Sequence, residues 1–236
     1  MLMRKTLAAA ALFAGVSLLG GCDMLQQETW EPQESAAISI DEAGSITEII
    51  QEKLDAAYYD AAELQTMIDK EVADYNSQHG ENSITVKTYE AAEGSVKLIM
   101  EYATAEDYAA FNNVEFYYGS MINAQLEGYL FDVSYKKVRD GVVQGSEVSG
   151  SEVIRNMADT VLVVRAPLEV KVPGEVIYTS TNAEVLEASV VNATGEQEDE
   201  ADEGLVLPSN AVYRGQEVTF EEQAAANRVY IVFEEY

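Results

Sequence analysis

The 236-residue sequence holds one cysteine, one histidine, one tryptophan and four prolines, and only 14 lysines and arginines against 42 aspartates and glutamates. Each scarcity removes a class of function. A lone thiol, Cys22, cannot close an intramolecular disulfide, so no disulfide framework holds the chain together. With His79 as the sole histidine and no second cysteine, the usual zinc ligand sets cannot assemble. A catalytic His triad would have to be built around His79 alone, and that residue sits where a helix is expected to end, beside Gly80, where a partial positive charge suits the helix dipole. The shortage of basic residues leaves a net charge of −28. Such a surface repels phosphate backbones and anionic lipid headgroups, which argues against nucleic acid as a partner. Neither a Gly-x-Ser-x-Gly elbow, a Gly-x-x-x-x-Gly-Lys phosphate loop, a Gly-x-Gly-x-x-Gly fingerprint nor an Asp-x-Asp-x-Asp-Gly calcium loop occurs. Carboxylates are so abundant that any pair picked out as glycosidase-like is uninformative. The expectation is a non-enzyme without metal or cofactor.

What is present starts at the N-terminus. Arg4 and Lys5 precede a stretch from Leu7 to Leu19 of small and apolar residues with one serine, followed by Leu19-Gly20-Gly21-Cys22. A charged start, a short apolar stretch and small residues before a cut are the three parts of a secretory signal. The stretch falls short of the roughly 20 apolar residues that a spanning helix needs. Leu-Gly-Gly-Cys resembles the lipobox of bacterial lipoproteins. That resemblance implies Leu19 as the apolar position, Gly20 and Gly21 as the small ones, and Cys22 as the acylated residue that becomes the new N-terminus. Residues 1–21 would then be a lipoprotein signal peptide. Removing Arg4 and Lys5 with it takes two of the 14 cations and moves the net charge from −28 to −30. Each buried lipid methylene contributes about 0.8 kcal/mol, so two or three acyl chains anchor the protein to the membrane without a transmembrane helix.

Residues 22–35, with glutamines, acids, Pro32 and the lone Trp30, have no sustained period and read as the tether of a lipidated chain. The 47% apolar share and 14 tyrosines of the sequence predict a folded body over 36–236, a single α+β extracytoplasmic domain. Ala37–Ile40 and Ser45–Ile50 flank Asp41-Glu42-Ala43-Gly44 as a hairpin would, although Ser45 with Glu48 also spells a capping box that would start a helix. The clearest helix spans about 60–78: Asp60 with Glu63 caps it, Ala61, Leu64, Ile68, Val72 and Tyr75 form one apolar stripe, and Gly80 ends it. Ile84–Tyr89 and Ser95–Tyr102 form a second hairpin. Thr104 caps a short helix through Phe111, Val114–Tyr118 alternates as a half-buried strand, and 121–126 is helical. From residue 130 onward short strands follow at 132–138, 161–165, 168–172, 175–179, 184–187 and 228–233. The Gly- and Ser-rich 140–151 stretch reads as a surface loop, 195–204 as a solvated acidic loop, and Asn192-Ala193-Thr194 as a turn. The expected architecture is α+β, antiparallel sheets of short strands with the 60–78 helix packed across a face.

Taken with the lipobox, Asp55-Ala56-Ala57-Tyr58-Tyr59-Asp60, Tyr108-Ala109-Ala110-Phe111-Asn112 and Val172-Pro173-Gly174-Glu175-Val176 resemble uncharacterised lipoproteins of anaerobic, Clostridia-type Gram-positive bacteria. The resemblance covers most of the chain and implies a location, the extracytoplasmic face of the cell membrane, with no activity attached. Over a shorter stretch, Val172–Val176 and the strand pair after it are similar to LppM-like lipoprotein domains, which implies lipid handling. Three functions therefore compete: a non-catalytic binding or assembly module facing an unknown envelope protein, a lipid or glycolipid-binding domain, and a carboxylate enzyme. The first should expose an apolar patch with aromatic residues such as Tyr117 or Tyr118. The second needs a deep apolar cavity between helix and sheet, and the third two facing carboxylates of perturbed pKa in a cleft.

Overall fold

The computed structural model of the chain describes residues 30–54, 60–92, 94–193 and 228–236, together with the strand pair at 212–213 and 216–217. Two compact units result, Met1–Glu31 and Pro32–Tyr236, and only Trp30 and Glu31 of the first are among the described residues. Leu19, Gly20, Gly21 and Cys22 lie outside the described residues, as do 55–59 and the acidic 195–204 stretch.

The Pro32–Tyr236 unit starts with the antiparallel pair β1 (Ala36–Ile40) and β2 (Ile46–Lys53), followed by helix α1 (Ala61–His79), β3 (Ile84–Ala92) and β4 (Ser95–Tyr102). Helix α2 (Ala105–Asn112), β5 (Phe116–Ser120), α3 (Met121–Leu126), β6 (Ser134–Arg139), β7 (Val142–Ser149) and the single turn α4 (Gly150–Val153) come next. The last third holds β8 (Thr160–Val164), β9 (Glu169–Lys171), β10 (Gly174–Ser180), β11 (Glu184–Glu187), β12 (Val190–Asn192), the two-residue pair β13 (Val212–Tyr213) and β14 (Gln216–Glu217), and β15 (Val229–Glu235). These strands form a seven-stranded sheet ordered β11-β12-β9-β1-β2-β4-β3 and a six-stranded sheet ordered β5-β8-β15-β10-β6-β7. The fold is α+β with one main helix. Pairing is antiparallel except between β1 and β9, which run parallel with 128 residues of chain between them.

The hairpin reading of 37–50 prevails over the capping box. Gly44, at φ 83°, closes the turn by donating to Asp41 O at 3.0 Å, and Asp41 Oδ1 accepts from Ala43 N and Ser45 N, both at 2.9 Å. Positive φ at the turn's end is a conformation glycine adopts without cost. The α1 cap forms as its residues predict: Asp60 accepts from Ala62 N and Glu63 N. Leu64, Ile68, Val72 and Tyr75 then turn onto the core while Glu63, Lys70, Asp74 and Ser77 face solvent. The helix lies beside β3, where the Asn76 amide both donates to Ile84 O at 2.8 Å and accepts from Ile84 N at 2.9 Å, taking the place of a missing strand neighbour.

Two cores sandwich the six-stranded sheet. Its central strands read Val-Leu-Val-Val and Val-Tyr-Ile-Val-Phe, apolar at every position, which is the pattern of a sheet covered on both faces. Leu162, Val164, Val229, Ile231 and Phe233 join one cluster with Ile38, Ile40 and Ile46 from the facing sheet. Val161, Val163, Tyr230 and Val232 join the other, beneath α3 and α4 with Met121, Phe131 and Val153. This layering corrects the half-buried reading of 114–118: the strand starts at Phe116, and Phe116 and Tyr117 are both buried, one in each core. A second correction concerns 140–151, expected as a loop. Residues 142–149 form the edge strand β7, and Gly145, at φ 62°, sits in the bulge where the register with β6 shifts. An outer edge strand has no core to face, so it carries no apolar alternation and reads as loop. The third correction is Asn192, which ends β12 rather than starting a turn, and donates to Glu34 Oε1 at 2.9 Å.

Candidate functional site

At one end of the β6–β7 pair, Ser134 faces Ser149 and the two chains then diverge, one back toward α3 and the other into α4. An open groove of about 700 Å³ lies between them, within the range of ligand sites. Its walls follow from local sequence. Ser120 caps α3, and Gly128 ends it at φ 94°, its N–H donating to Gln125 O while Tyr129 N donates to Ala124 O. The chain then passes through Leu130-Phe131-Asp132-Val133 and bends at Val133 ahead of β6: Leu130 and Asp132 are exposed, Phe131 is buried against Tyr230 at 5.1 Å, and Val133 packs on the same core. The opposite wall is Ser149, Gly150, Ser151 and Ile154. Gly150 is obligatory there, because a Cβ would stand 1.4 Å from Phe131 O.

Three exposed large apolar side chains belong to α3 and the segment after it. Ile122 and Leu126 lie one turn apart on α3 at 47% and 80% exposure, and Leu130 on the groove wall is 59% exposed. The aromatic rings nearby are occupied: Tyr129 has Tyr117 at 5.2 Å and the Arg228 guanidinium at 5.5 Å. Arg228 in turn donates to Glu115 at 2.7 Å, with Arg165 at 4.0 Å from the same carboxylate. Among the described residues, Asp132 is the only charged one lining the groove, and no cation lines it. Tyr117 and Tyr118, expected as exposed markers of a binding face, are not exposed: Tyr117 is buried and donates to Ser120 O, and half-buried Tyr118 donates to Glu235.

No family model, curated protein or solved structure matches this chain. Geometry alone therefore carries the reading of the site.

Among the described residues two carboxylates have raised pKa values, one on β2 of the seven-stranded sheet and one just ahead of β8 of the six-stranded sheet. Glu48 on β2 points into the core between the sheets, where burial pushes its carboxyl up against the lowering effect of hydrogen bonds from Tyr102 and Asn112. Tyr102 Oη donates to Glu48 Oε2 at 2.6 Å and accepts from Asn112 Nδ2 at 3.1 Å, and the Tyr102 and Tyr108 phenols are themselves pushed up by burial. Asp159, raised first by burial and then by Glu234, sits ahead of β8 and bonds to Asn156. Neither lines the groove. A third buried acid, Glu169, accepts from Gln33 N at 2.8 Å and Glu34 N at 3.2 Å, so residues 33 and 34 of the expected tether are fastened to β9. His79 ends α1 as expected, exposed, with its ring stacked on Tyr75 at 4.1 Å.

Among the described residues no group of three or more histidine, cysteine or carboxylate side chains is placed to hold a metal, and no helix is long and apolar enough to cross a membrane. Sequence reasoning did not single out the groove. The available signal was Tyr129-Leu130-Phe131, three large apolar residues in a row directly after the helix-ending Gly128, a run that fits neither a helical nor a strand period with both neighbours buried.

Proposed function

We propose that the chain is an extracytoplasmic lipoprotein, anchored in the cell membrane through acylated Cys22, whose Pro32–Tyr236 unit is a non-catalytic binding module for another component of the envelope. The observation that carries the module is the exposure of Ile122, Leu126 and Leu130 within nine residues of a strongly acidic chain, Leu130 in the lining of the groove. Burying an aliphatic side chain of this size contributes roughly 1.5–3 kcal/mol, and large apolar side chains exposed close together in sequence on an acidic chain favour a contact site. Support for a module over a lipid carrier comes from α1, whose Leu64, Ile68, Val72 and Tyr75 fill the space against the sheet that a lipid would require. Support over an enzyme comes from Glu48 and Asp159, perturbed acids that no shared cleft brings together.

The test is photo-crosslinking in intact cells from a reactive residue placed at Leu126, with the same residue at Met67 on the exposed face of α1 as control. Leu126 should yield a discrete adduct that Met67 does not. Equal labelling from both positions, or none from Leu126, overturns the module reading.

A further inference from the structure

We infer that the outer face of the seven-stranded sheet is the surface this protein lays against phospholipid headgroups, so that α3, α4 and the groove point away from the membrane; this rests on the Cys22-anchored reading above. The register fixes which side chains share that face. Ile38, Ile40, Ile46, Leu98, Met100 and Val170 point into the core between the sheets, so their neighbours along each strand point outward. Glu169 is one of these outward residues, level with Ala37. Its carboxylate, in a residue 1% exposed, accepts from Gln33 N at 2.8 Å and Glu34 N at 3.2 Å. Asn192, level with Glu169 on β12, donates to Glu34 Oε1 at 2.9 Å. The chain that leads from Cys22 is therefore pinned across the outer face, on β9 and β12, before it enters β1.

The place of this pin limits how an anchored domain can sit. The 11 steps from Cys22 to Gln33 reach at most about 40 Å. To bring α3 and α4 to the membrane, that lead would first pass two strands to the edge of its sheet, about 10 Å. It would then have to run beside two sheets and a helical layer, about 30 Å more. The helical side thus meets the membrane only at full stretch, whereas the outer face of the seven-stranded sheet meets it with no detour.

Charge favours the same side. Of the 14 lysines and arginines, Lys53, Lys87, Lys97 and Lys171 stand on this face. The acids that share it are Glu90, Glu101 and the buried Glu169, with Glu184 and Glu187 on the edge strand β11, and Glu101 is paired with Lys87 at 2.8 Å. The face is close to neutral in a chain of net charge −28, so phosphate-bearing headgroups are repelled less here than by the acidic remainder. Ile49 and Ile99 pair across β2 and β4 on the same face, half-buried and outside both cores, with Lys97 next to Ile99. Aliphatic side chains beside lysines, whose stems lie along the surface while the ammonium groups reach phosphates, suit the membrane interface.

The test uses the acylated protein in nanodiscs of mixed phosphatidylcholine and phosphatidylglycerol, with a nitroxide on a fraction of the headgroups. A fluorescent label is placed at Gln51→Cys on the outer face or at Leu126→Cys on α3, and acylated Cys22 has no thiol to compete. The nitroxides should quench the label at position 51 about threefold more than the label at 126, since roughly 20 Å of packed layers separates the two sides. Lys53→Glu combined with Lys97→Glu should roughly halve the quenching at 51, because it turns attraction to the headgroups into repulsion. Equal quenching at both positions, stronger quenching at 126, or a signal at 51 indifferent to the lysine reversal overturns the inference. So does crosslinking of Gln51→Cys between two protomers, which would give the face to a second copy of the chain. An intact mass showing a free Cys22 thiol would defeat the anchored reading and the inference with it, whereas an acylated protein with no preferred side defeats the inference alone.

Discussion

Glu48 gives the sharpest physical prediction. It is a carboxylate 8% exposed, in a core of Ile38, Ile46, Met100 and Tyr108, and the groups that answer it are neutral: the Tyr102 hydroxyl at 2.6 Å and the nearby Asn112 amide. Because burial outweighs these bonds, its folded pKa lies above its unfolded one. Between those two values the native state holds more protons than the unfolded chain, so stability is highest below the unfolded pKa and falls as pH rises toward the folded pKa. Above the folded pKa the protein carries the full cost of this buried charge. Glu48→Gln keeps the acceptor for Tyr102 and removes the charge. Replacing a charge-assisted hydrogen bond by a neutral one loses about 1 kcal/mol, whereas the effective penalty of a buried ion is several kcal/mol. The net expectation at neutral pH is a gain of about 1–2 kcal/mol, or roughly 2–8 °C in Tm for a chain of this size. Urea unfolding of both proteins at several pH values between about 4.5 and 7.5 checks it. The many surface acids are common to both, so the difference between the curves isolates Glu48. It should be near zero or negative at the acid end and grow as pH rises. A difference that is flat with pH, or a glutamine variant that is less stable at neutral pH, would refute the reasoning.

Tyr102→Phe is expected to act in the opposite direction, since it strips the carboxylate of its closest donor; a loss of about 1.5–3 kcal/mol at neutral pH, shrinking in acid, should appear in the same unfolding series. Gly150→Ala should cost about 3 kcal/mol in thermal unfolding, because the new Cβ meets the Phe131 carbonyl rather than a flexible side chain. Gly145→Ala, with open space around it, should lose only the roughly 1 kcal/mol of a positive φ. Asp60→Ala removes the acceptor for two α1 amides and should lower stability by about 1 kcal/mol in the same assay.

The elements legible in the sequence were those whose signal is local. Asp60 and Gly80 bracket α1, Thr104 caps α2 with Asp107 returning a bond, and Asp41 with Gly44 makes the first turn, each through bonds a few residues long. The parallel β1–β9 pair depends on partners more than a hundred residues apart, and nothing in either segment spells it. β7 was illegible because an exposed edge strand needs no apolar face. Glu48 shows how one letter serves two readings: in a capping box it would reach a helix N-terminus, but on β2 it falls in register between Ile38 and Met100 and turns inward. The groove was illegible for a related reason. Ser134 and Ser149 meet through strand pairing, and Gly150 matters only because Phe131 passes beside it.

The measurement that bears most directly on the central claim, an anchored envelope module, is the intact mass of the protein isolated from its native membranes, followed by fragmentation of the N-terminal peptide. The account predicts a chain that begins at Cys22 and carries a thioether-linked diacylglyceryl group on it. A free Cys22 thiol, or a chain that still carries residues 1–21, would contradict it.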